Sequence, residues 1–380
     1  MKNDILKDLP EKLVLLSGPR QVGKTTLARQ LCSSCAYLNY DSAPDRALIS
    51  RQEWRRDVEL VVFDELHKMK KWKSWIKGVY DTEGVKPAIL VTGSARLDMA
   101  RRGGDSLAGR FFSYRLHPLS LKECLARDCG PETEILERLI TIGGFPEPFL
   151  KGSENYAKRW RRTHLDTILR QDLLDLERVR DVKSIELLIE MLKGRVGKSV
   201  SFSSLANDLQ VSIHTVKHWL QILENLYVIF PVRPYSRNIA RSILKETKYF
   251  FFDCGAVQGE KGARLENLVA LELLKELHYL EDTTGSRVGL HYLRDKQQRE
   301  VDFLAVIDNK PALLVEVKES DDSFTKSIFH FQGFLPEAKA LQAVLNLRRP
   351  KSRAGVNMIA LNDFLKELDL SGRPAASRQG

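Results

Sequence analysis

The sequence predicts an α/β protein of several domains, and three observations carry that reading. A glycine-rich octapeptide, Gly18-Pro19-Arg20-Gln21-Val22-Gly23-Lys24-Thr25, directly follows the apolar run Leu13-Val14-Leu15-Leu16. Two more unbroken apolar runs, Leu60–Phe63 and Ala88–Val91, read as strands covered on both faces of a parallel sheet. Near the other end, Val301–Ile307 and Pro311–Lys318 are apolar strands interrupted by a few charges. At 380 residues the chain exceeds one typical core. The predicted order is a phosphate-binding α/β core at 1–120, a helical linker at 121–185, a winged helix-turn-helix at 186–248, a second α/β domain at 249–370 and a disordered tail at 371–380.

The octapeptide fits the pattern G-x-x-x-x-G-K-[ST], with a strand before it and a helix expected from Thr26. Its backbone N–H groups would converge on phosphate oxygens, helped by the positive end of that helix. Lys24 would reach the β- and γ-phosphates, and the Thr25 hydroxyl would ligate Mg²⁺. After the strand-like segment Ala36–Asp41, the run Leu60–Phe63 ends on Asp64-Glu65. Asp64 would hold Mg²⁺ through its water shell, and Glu65 would polarise an attacking water, as a hydrolase of ATP requires. Ala88–Val91 leads into Thr92-Gly93-Ser94, where either Thr92 or Ser94 would sense the γ-phosphate. Arg110 is the candidate cation for transition-state charge, within its own subunit or from a neighbour; an ordinary surface arginine is the competing reading.

The region from Leu121 to about Leu192 is helical in pattern, broken at Gly143-Gly144-Phe145-Pro146-Glu147-Pro148, which reads as an elbow. Lys158-Arg159-Trp160-Arg161-Arg162 is the densest basic run, suited either to phosphate contact with stacking or to a solvated helix face. Ser203 would cap a helix through Leu209, and Ser212 would cap a second from Ile213 to about Asn225. On that second helix Val216, Trp219, Leu220 and Leu223 share one face, with His214, Thr215, Lys217, His218 and Gln221 towards the other, as in a recognition helix. The segments 227–230 and 232–235 would form the wing.

In the last domain the turn Asp308-Asn309-Lys310 would place Asp302 opposite Glu316, with Lys318 on the same face as Glu316. Two carboxylates and a lysine on apolar strands form the D…E-x-K arrangement of restriction-endonuclease-like nucleases. Asp302, Glu316 and Lys318 would be catalytic, and Glu266, Asp302 and Glu316 would bind Mg²⁺. The same arrangement also suits an inactive module of that fold.

A hydrophobic content of 43% with 29% charged residues describes a folded globular chain. The net charge of +10 favours an anionic partner, DNA before membrane. The first residues show no signal-peptide pattern and no apolar run is long enough to span a bilayer, so a cytoplasmic location is expected. Five cysteines, with one C-x-x-C at Cys32 and Cys35, read as reduced thiols rather than a zinc site.

Taken in order, the runs 18–26, Phe63-Asp64-Glu65 with Trp72, Thr92-Gly93-Ser94, Leu107–Arg110 and Pro118-Leu119-Ser120 carry a family resemblance. It continues through Gly143–Glu147, Tyr249–Gly255, Glu300–Phe303 and Val315–Lys318. The chain resembles the bacterial and archaeal AAA-type P-loop ATPases that carry a C-terminal domain of unknown function with restriction-endonuclease-like features. The resemblance implies a core in which the sensor strand lies between the two Walker strands. From the residues themselves, ATP and Mg²⁺ are the expected cofactors and DNA, through the winged helix and basic surface, the expected partner, with a protein partner and oligomerisation as options. The chain departs from the family at His67, where members often carry glutamine. Two outputs follow: an ATP hydrolase acting on DNA with a nuclease-like domain, or an ATP-dependent switch that docks a protein on a non-catalytic scaffold.

Overall fold

A computed structural model describes residues 1–31, 33–93, 107–172, 181–236, 246–320 and 323–371. Cys32 and all but the first residue of the expected disordered tail lie outside the described residues. The chain divides into two units, one built on Met1–His117 with Asp282–Thr284 and one on Pro118–Glu281 with Gly285–Arg373.

In the first unit α1 (Lys2–Asp8) precedes β1 (Leu13–Ser17), and α2 (Lys24–Arg29) follows the glycine-rich loop. Next come β2 (Cys35–Asn39), α3 (Ala43–Arg51), β3 (Leu60–Asp64), α4 (Trp72–Glu83), β4 (Ala88–Thr92) and β5 (Phe111–Arg115). The strands form one parallel sheet in the order β2-β3-β4-β1-β5. The sensor strand β4 therefore lies between β1 and β3, as expected from the resemblance. Continuous apolarity is explained by two cores: Leu13, Leu15, Val61 and Phe63 pack on one face, Val14, Leu16, Leu60 and Val62 on the other. Trp54, Phe63 and Trp75 meet edge to face at 5.1–5.8 Å, fixing α4 against the first of these faces.

The second unit starts with α5 (Leu121–Ala126), α6 (Glu132–Thr141), α7 (Pro146–Lys151), α8 (Glu154–Thr167) and α9 (Val182–Lys193). The elbow is narrower than the sequence suggested. Gly143 and Gly144 break the chain, whereas Pro146 and Pro148 fall in the first turn of α7, where a missing N–H costs no helical bond. Both glycines are required by contact: a Cβ on Gly143 would lie 2.4 Å from Asp253 Oδ1, and one on Gly144 would lie 2.5 Å from the Leu119 carbonyl.

After β6 (Ser199–Val200) come α10 (Phe202–Leu209) and α11 (Ile213–Asn225). Ser201, not Ser203, caps α10 by accepting from Ser204 N–H at 3.3 Å, while Ser212 caps α11 as expected. The segments 227–230 and 232–235 do not make a wing hairpin: they supply one strand, β7 (Ile229–Pro234), which pairs antiparallel with β8 (Thr247–Phe251). β8 crosses the expected boundary at 248/249.

The helix α12 (Lys261–Thr284) precedes β9 (Val288–Arg294), β10 (Glu300–Ile307) and β11 (Lys310–Lys318). The turn is only Asp308-Asn309, both at positive φ (49° and 64°), the two-residue hairpin that a right-handed sheet twist favours. Then come α13 (Lys326–Phe334), β12 (Lys339–Val344), β13 (Lys351–Arg353), β14 (Val356–Ala360) and α14 (Leu361–Glu367). β7 pairs parallel with β9, so all strands of this unit join in one nine-stranded sheet, β13-β14-β12-β11-β10-β9-β7-β8-β6. Among the described residues no helix is long and apolar enough to cross a membrane.

Candidate functional site

The glycine-rich loop leaves β1 through Gly18, whose φ of +145° and close approach to Leu116 exclude any side chain: a Cβ there would sit 2.3 Å from the Leu116 carbonyl oxygen. Gln21 and Gly23 are also left-handed, which turns successive N–H groups of the loop inward as a nest for anionic oxygens. Lys24 is buried, and its ammonium donates to the carbonyls of Gly18 at 3.0 Å and Pro19 at 2.6 Å. The loop's cation is thus held within the loop itself.

Asp64 ends β3 directly beside Thr92, the last residue of β4. Its carboxylate accepts from four donors: Thr25 Oγ1 at 3.0 Å and the Tyr37 hydroxyl on Oδ2, the Thr92 hydroxyl and Glu65 N–H (3.1 Å) on Oδ1. Burial, then the bond and charge of Asp64, push the Tyr37 phenol well above its usual range, so it stays a donor. The Arg29 guanidinium lies over the Tyr37 ring at 4.7 Å. Tyr37 was not foreseen, because its role depends on the pairing of β2 with β3.

Glu65 has a left-handed backbone, φ 56°, an unusual conformation for this residue type, with its N–H also bonded to the Thr92 carbonyl at 3.0 Å. Its Oε2 lies 3.4 Å from Lys68 Nζ and 3.6 Å from His67 Nε2. Burial raises its pKa, opposed by Lys68, Lys24 and Arg20. A carboxyl held more basic than usual, next to a fixed Asp64, has the attributes of a general base. Thr25 and Asp64 offer hard oxygens within 3.0 Å of one another, and that donor set fits Mg²⁺ beside bound phosphates.

Thr92 is fully buried and committed to Asp64, so it orients the carboxylate rather than facing a phosphate. Ser94, the other sensor candidate, lies outside the described residues. Arg110 is far from its own loop. It precedes β5, whose first residue Phe111 pairs with Leu13 at the start of β1, whereas the loop leaves the opposite end of β1. Five strand residues separate the two levels, about 16 Å at the usual rise per residue. Arg110 instead pairs with Asp81 at the end of α4, Nε to Oδ1 at 2.7 Å. This placement sets Arg110 apart from its own glycine-rich loop and gives it the surface ion pair with Asp81.

In the second unit the register Phe303↔Val315 sets Asp302 across from Glu316, as the sequence implied. Asp302 Oδ2 accepts from Val317 N–H at 2.8 Å, and Glu316 Oε1 pairs with Lys318 Nζ at 2.9 Å. Glu266 joins them from α12. Burial, with Asp302 next, pushes Glu266 up to about 7 and Glu316 up to about 8; Asp302 itself is raised by burial. The cluster also holds a residue that sequence reasoning missed. Lys248 of β8 is 1% exposed and lies 3.2 Å from Glu266 Oε1 and 2.7 Å from Glu300 Oε1. Burial pulls its pKa down, but Glu266, Asp302 and Glu300 more than reverse this and keep it charged. Among the described residues no group of three acid, histidine or cysteine side chains is arranged to hold a metal ion. The carboxylates are drawn to Lys248, Lys318 and a backbone N–H instead.

On α11 the exposed residues include His214, Lys217, His218 and Gln221, opposite a buried Trp219. The basic run on α8 divides: the Trp160 indole is buried and Arg161 pairs with Asp253 at 2.5 Å, which leaves Lys158, Arg159 and Arg162 exposed. The indole is therefore not available for stacking on a base.

Residues 10–125 match the family model of an AAA domain. Residues 133–262 and 261–364 match two domains of unknown function, DUF8612 and DUF4143. The first unit accordingly carries an AAA-type ATPase domain. The chain is similar to an uncharacterized protein of Methanocaldococcus jannaschii, 25% identical over 88% of this chain and 81% of that protein. It is similar to others in Haemophilus influenzae (26%, covering 77% and 78%) and Mycobacterium tuberculosis (26%, covering 83% and 72%). Among solved structures, a point variant of Thermotoga maritima RuvB overlaps 60% of this chain and 85% of its own at 17% identity, with a TM-score of 0.28. An overlap that weak carries no argument about this chain.

Proposed function

We propose that the chain is a Mg²⁺-dependent ATP hydrolase whose turnover acts on DNA bound by the second unit. The observation that carries the proposal is Asp64, fixed by Thr25, Tyr37 and Thr92, with the strained Glu65 next to it. Bound Mg²⁺ would draw charge from the phosphates. Thr25 and Asp64 would hold that ion, and the nest at 18–24 would bind phosphate oxygens. Lys24 would exchange the carbonyls of Gly18 and Pro19 for the β- and γ-phosphates. Glu65 would take the proton from the attacking water, and a second copy would supply Arg110 across an interface. Association with DNA is supported by the basic chain and by the exposed polar face of α11.

For the C-terminal domain, the buried Lys248 favours the second reading, a non-catalytic module of nuclease-like design that docks a partner under control of the nucleotide. The test combines Lys24→Ala, expected to abolish ATP binding, with Glu65→Gln, expected to keep binding and stop turnover. Each protein is assayed for ATPase activity with and without DNA, and cleavage is scored in the same tubes. Equal turnover in wild type and Glu65→Gln would sink the hydrolase mechanism. Absence of any DNA stimulation would favour docking to a protein.

A further inference from the structure

Lys248 comes from β8, the strand that pairs with β7 next to the helix-turn-helix, yet its ammonium sits among carboxylates from α12 and β10. It is 1% exposed, and its Nζ also lies 5.2 Å from the centre of the Tyr292 ring. A lysine buried so completely is tolerated only with close counter-charges, and Glu266 and Glu300 provide them. The fit is tight. Gly197, at φ +74°, leaves room for Glu266, since a Cβ there would lie 2.2 Å from Glu266 Oε2.

Of the remaining carboxylates, Asp302 Oδ2 accepts from Val317 N–H and Glu316 Oε1 pairs with Lys318, while Glu316 Oε2 is buried without a hydrogen bond among the described residues. A divalent ion would need several of these oxygens turned to one point, with no fixed cation competing for them. The second condition is not met, because Lys248 is fixed between Glu266 and Glu300. We propose that Lys248 is the resident cation of this cluster: its ammonium does the charge compensation that a divalent metal would do, and the cluster takes no divalent ion.

This inference deepens the reading of the C-terminal domain as a non-catalytic module, and its test separates the two. Mn²⁺ binding to the full-length chain without nucleotide is followed by electron paramagnetic resonance, comparing wild type with Asp302→Asn. The expected result is superimposable isotherms up to millimolar Mn²⁺. One site per chain in wild type that Asp302→Asn removes would overturn the proposal. In parallel, Lys248→Met should lower the thermal midpoint, and Mn²⁺ should restore part of that loss while leaving wild type unmoved. An unchanged midpoint in Lys248→Met would also overturn it, since the lysine would then be holding nothing together. Mn²⁺-dependent DNA cleavage that Asp302→Asn abolishes would refute the non-catalytic reading as well; Mn²⁺ binding without cleavage refutes only the resident-cation proposal.

Discussion

Thr92→Val is the most informative single perturbation of the ATP site. Thr92 is fully buried at the end of β4, and its hydroxyl donates to Asp64 Oδ1. Valine keeps the shape and suits a buried strand, so the change removes one hydrogen bond and little else. Among the described residues Asp64 Oδ1 would retain only the Glu65 N–H, at 3.1 Å. A hydrogen bond to a charged group contributes about 1.5–3 kcal/mol, and about 1.4 kcal/mol is a tenfold change. If the loss is expressed at the Mg²⁺ site, kcat/KM for Mg·ATP should fall about ten- to hundredfold. The assay is steady-state ATPase as a function of Mg²⁺ at fixed ATP, with binding of a fluorescent ATP analogue in EDTA alongside. Metal-free binding should be unchanged, the Mg²⁺ requirement should rise, and Thr92→Ser should restore both. Thr92→Val activity within about twofold of wild type, at every Mg²⁺ concentration, would refute the argument that Thr92 holds Asp64.

Two further outcomes follow from placement and burial. Arg110→Ala and Lys24→Ala should each be inactive alone, yet a mixture should regain activity, because a mixed assembly pairs an intact loop with an intact Arg110 from the next copy; no recovery, with mixed assembly demonstrated, would leave Arg110 a surface residue held by Asp81. Glu272, buried on α12 and accepting from Leu121 N–H at 3.1 Å, is pushed by burial up to about 7 from a reference of 4.5. The native state therefore holds this proton more tightly than the unfolded chain, and stability is lost as pH rises from about 4.5 through about 7, by at most about 3 kcal/mol. Glu272→Gln keeps an acceptor for Leu121 N–H and should flatten that part of the pH dependence, read as the urea midpoint at about pH 5 and about pH 8.

What could be read in the sequence was whatever depends on neighbours in the chain. The loop at 18–25, the Asp64-Glu65 pair and the apolar strands are local patterns, and the sheet places them as the patterns require. The hairpin that sets Asp302 against Glu316 was legible for the same reason. Tyr37 and Lys248 were not. Tyr37 reaches Asp64 because β2 lies beside β3, and Lys248 reaches Glu300, far along the chain, because β7 pairs with both β8 and β9. Arg110 shows a third kind of gap. Its sequence context gives the residue type suited to phosphate, but only the pairing of Phe111 with Leu13 tells which end of the sheet it occupies.

The pairing of β7 with β9 changes what the second unit can do. A winged helix that is a separate domain would carry a bound ligand on a free tether, and a nuclease-like domain downstream would feel it only through a linker. Here the strand after α11 is itself hydrogen-bonded into the sheet that bears Asp302 and Glu316, and the next strand donates Lys248 to that same cluster. The strand after α11 is thus joined to the carboxylate-bearing strands by backbone hydrogen bonds of one sheet. Under the docking reading proposed above, occupancy of one face would be sensed on another through this connection, and Lys248, tied to Glu266 and Glu300, would keep the cluster rigid.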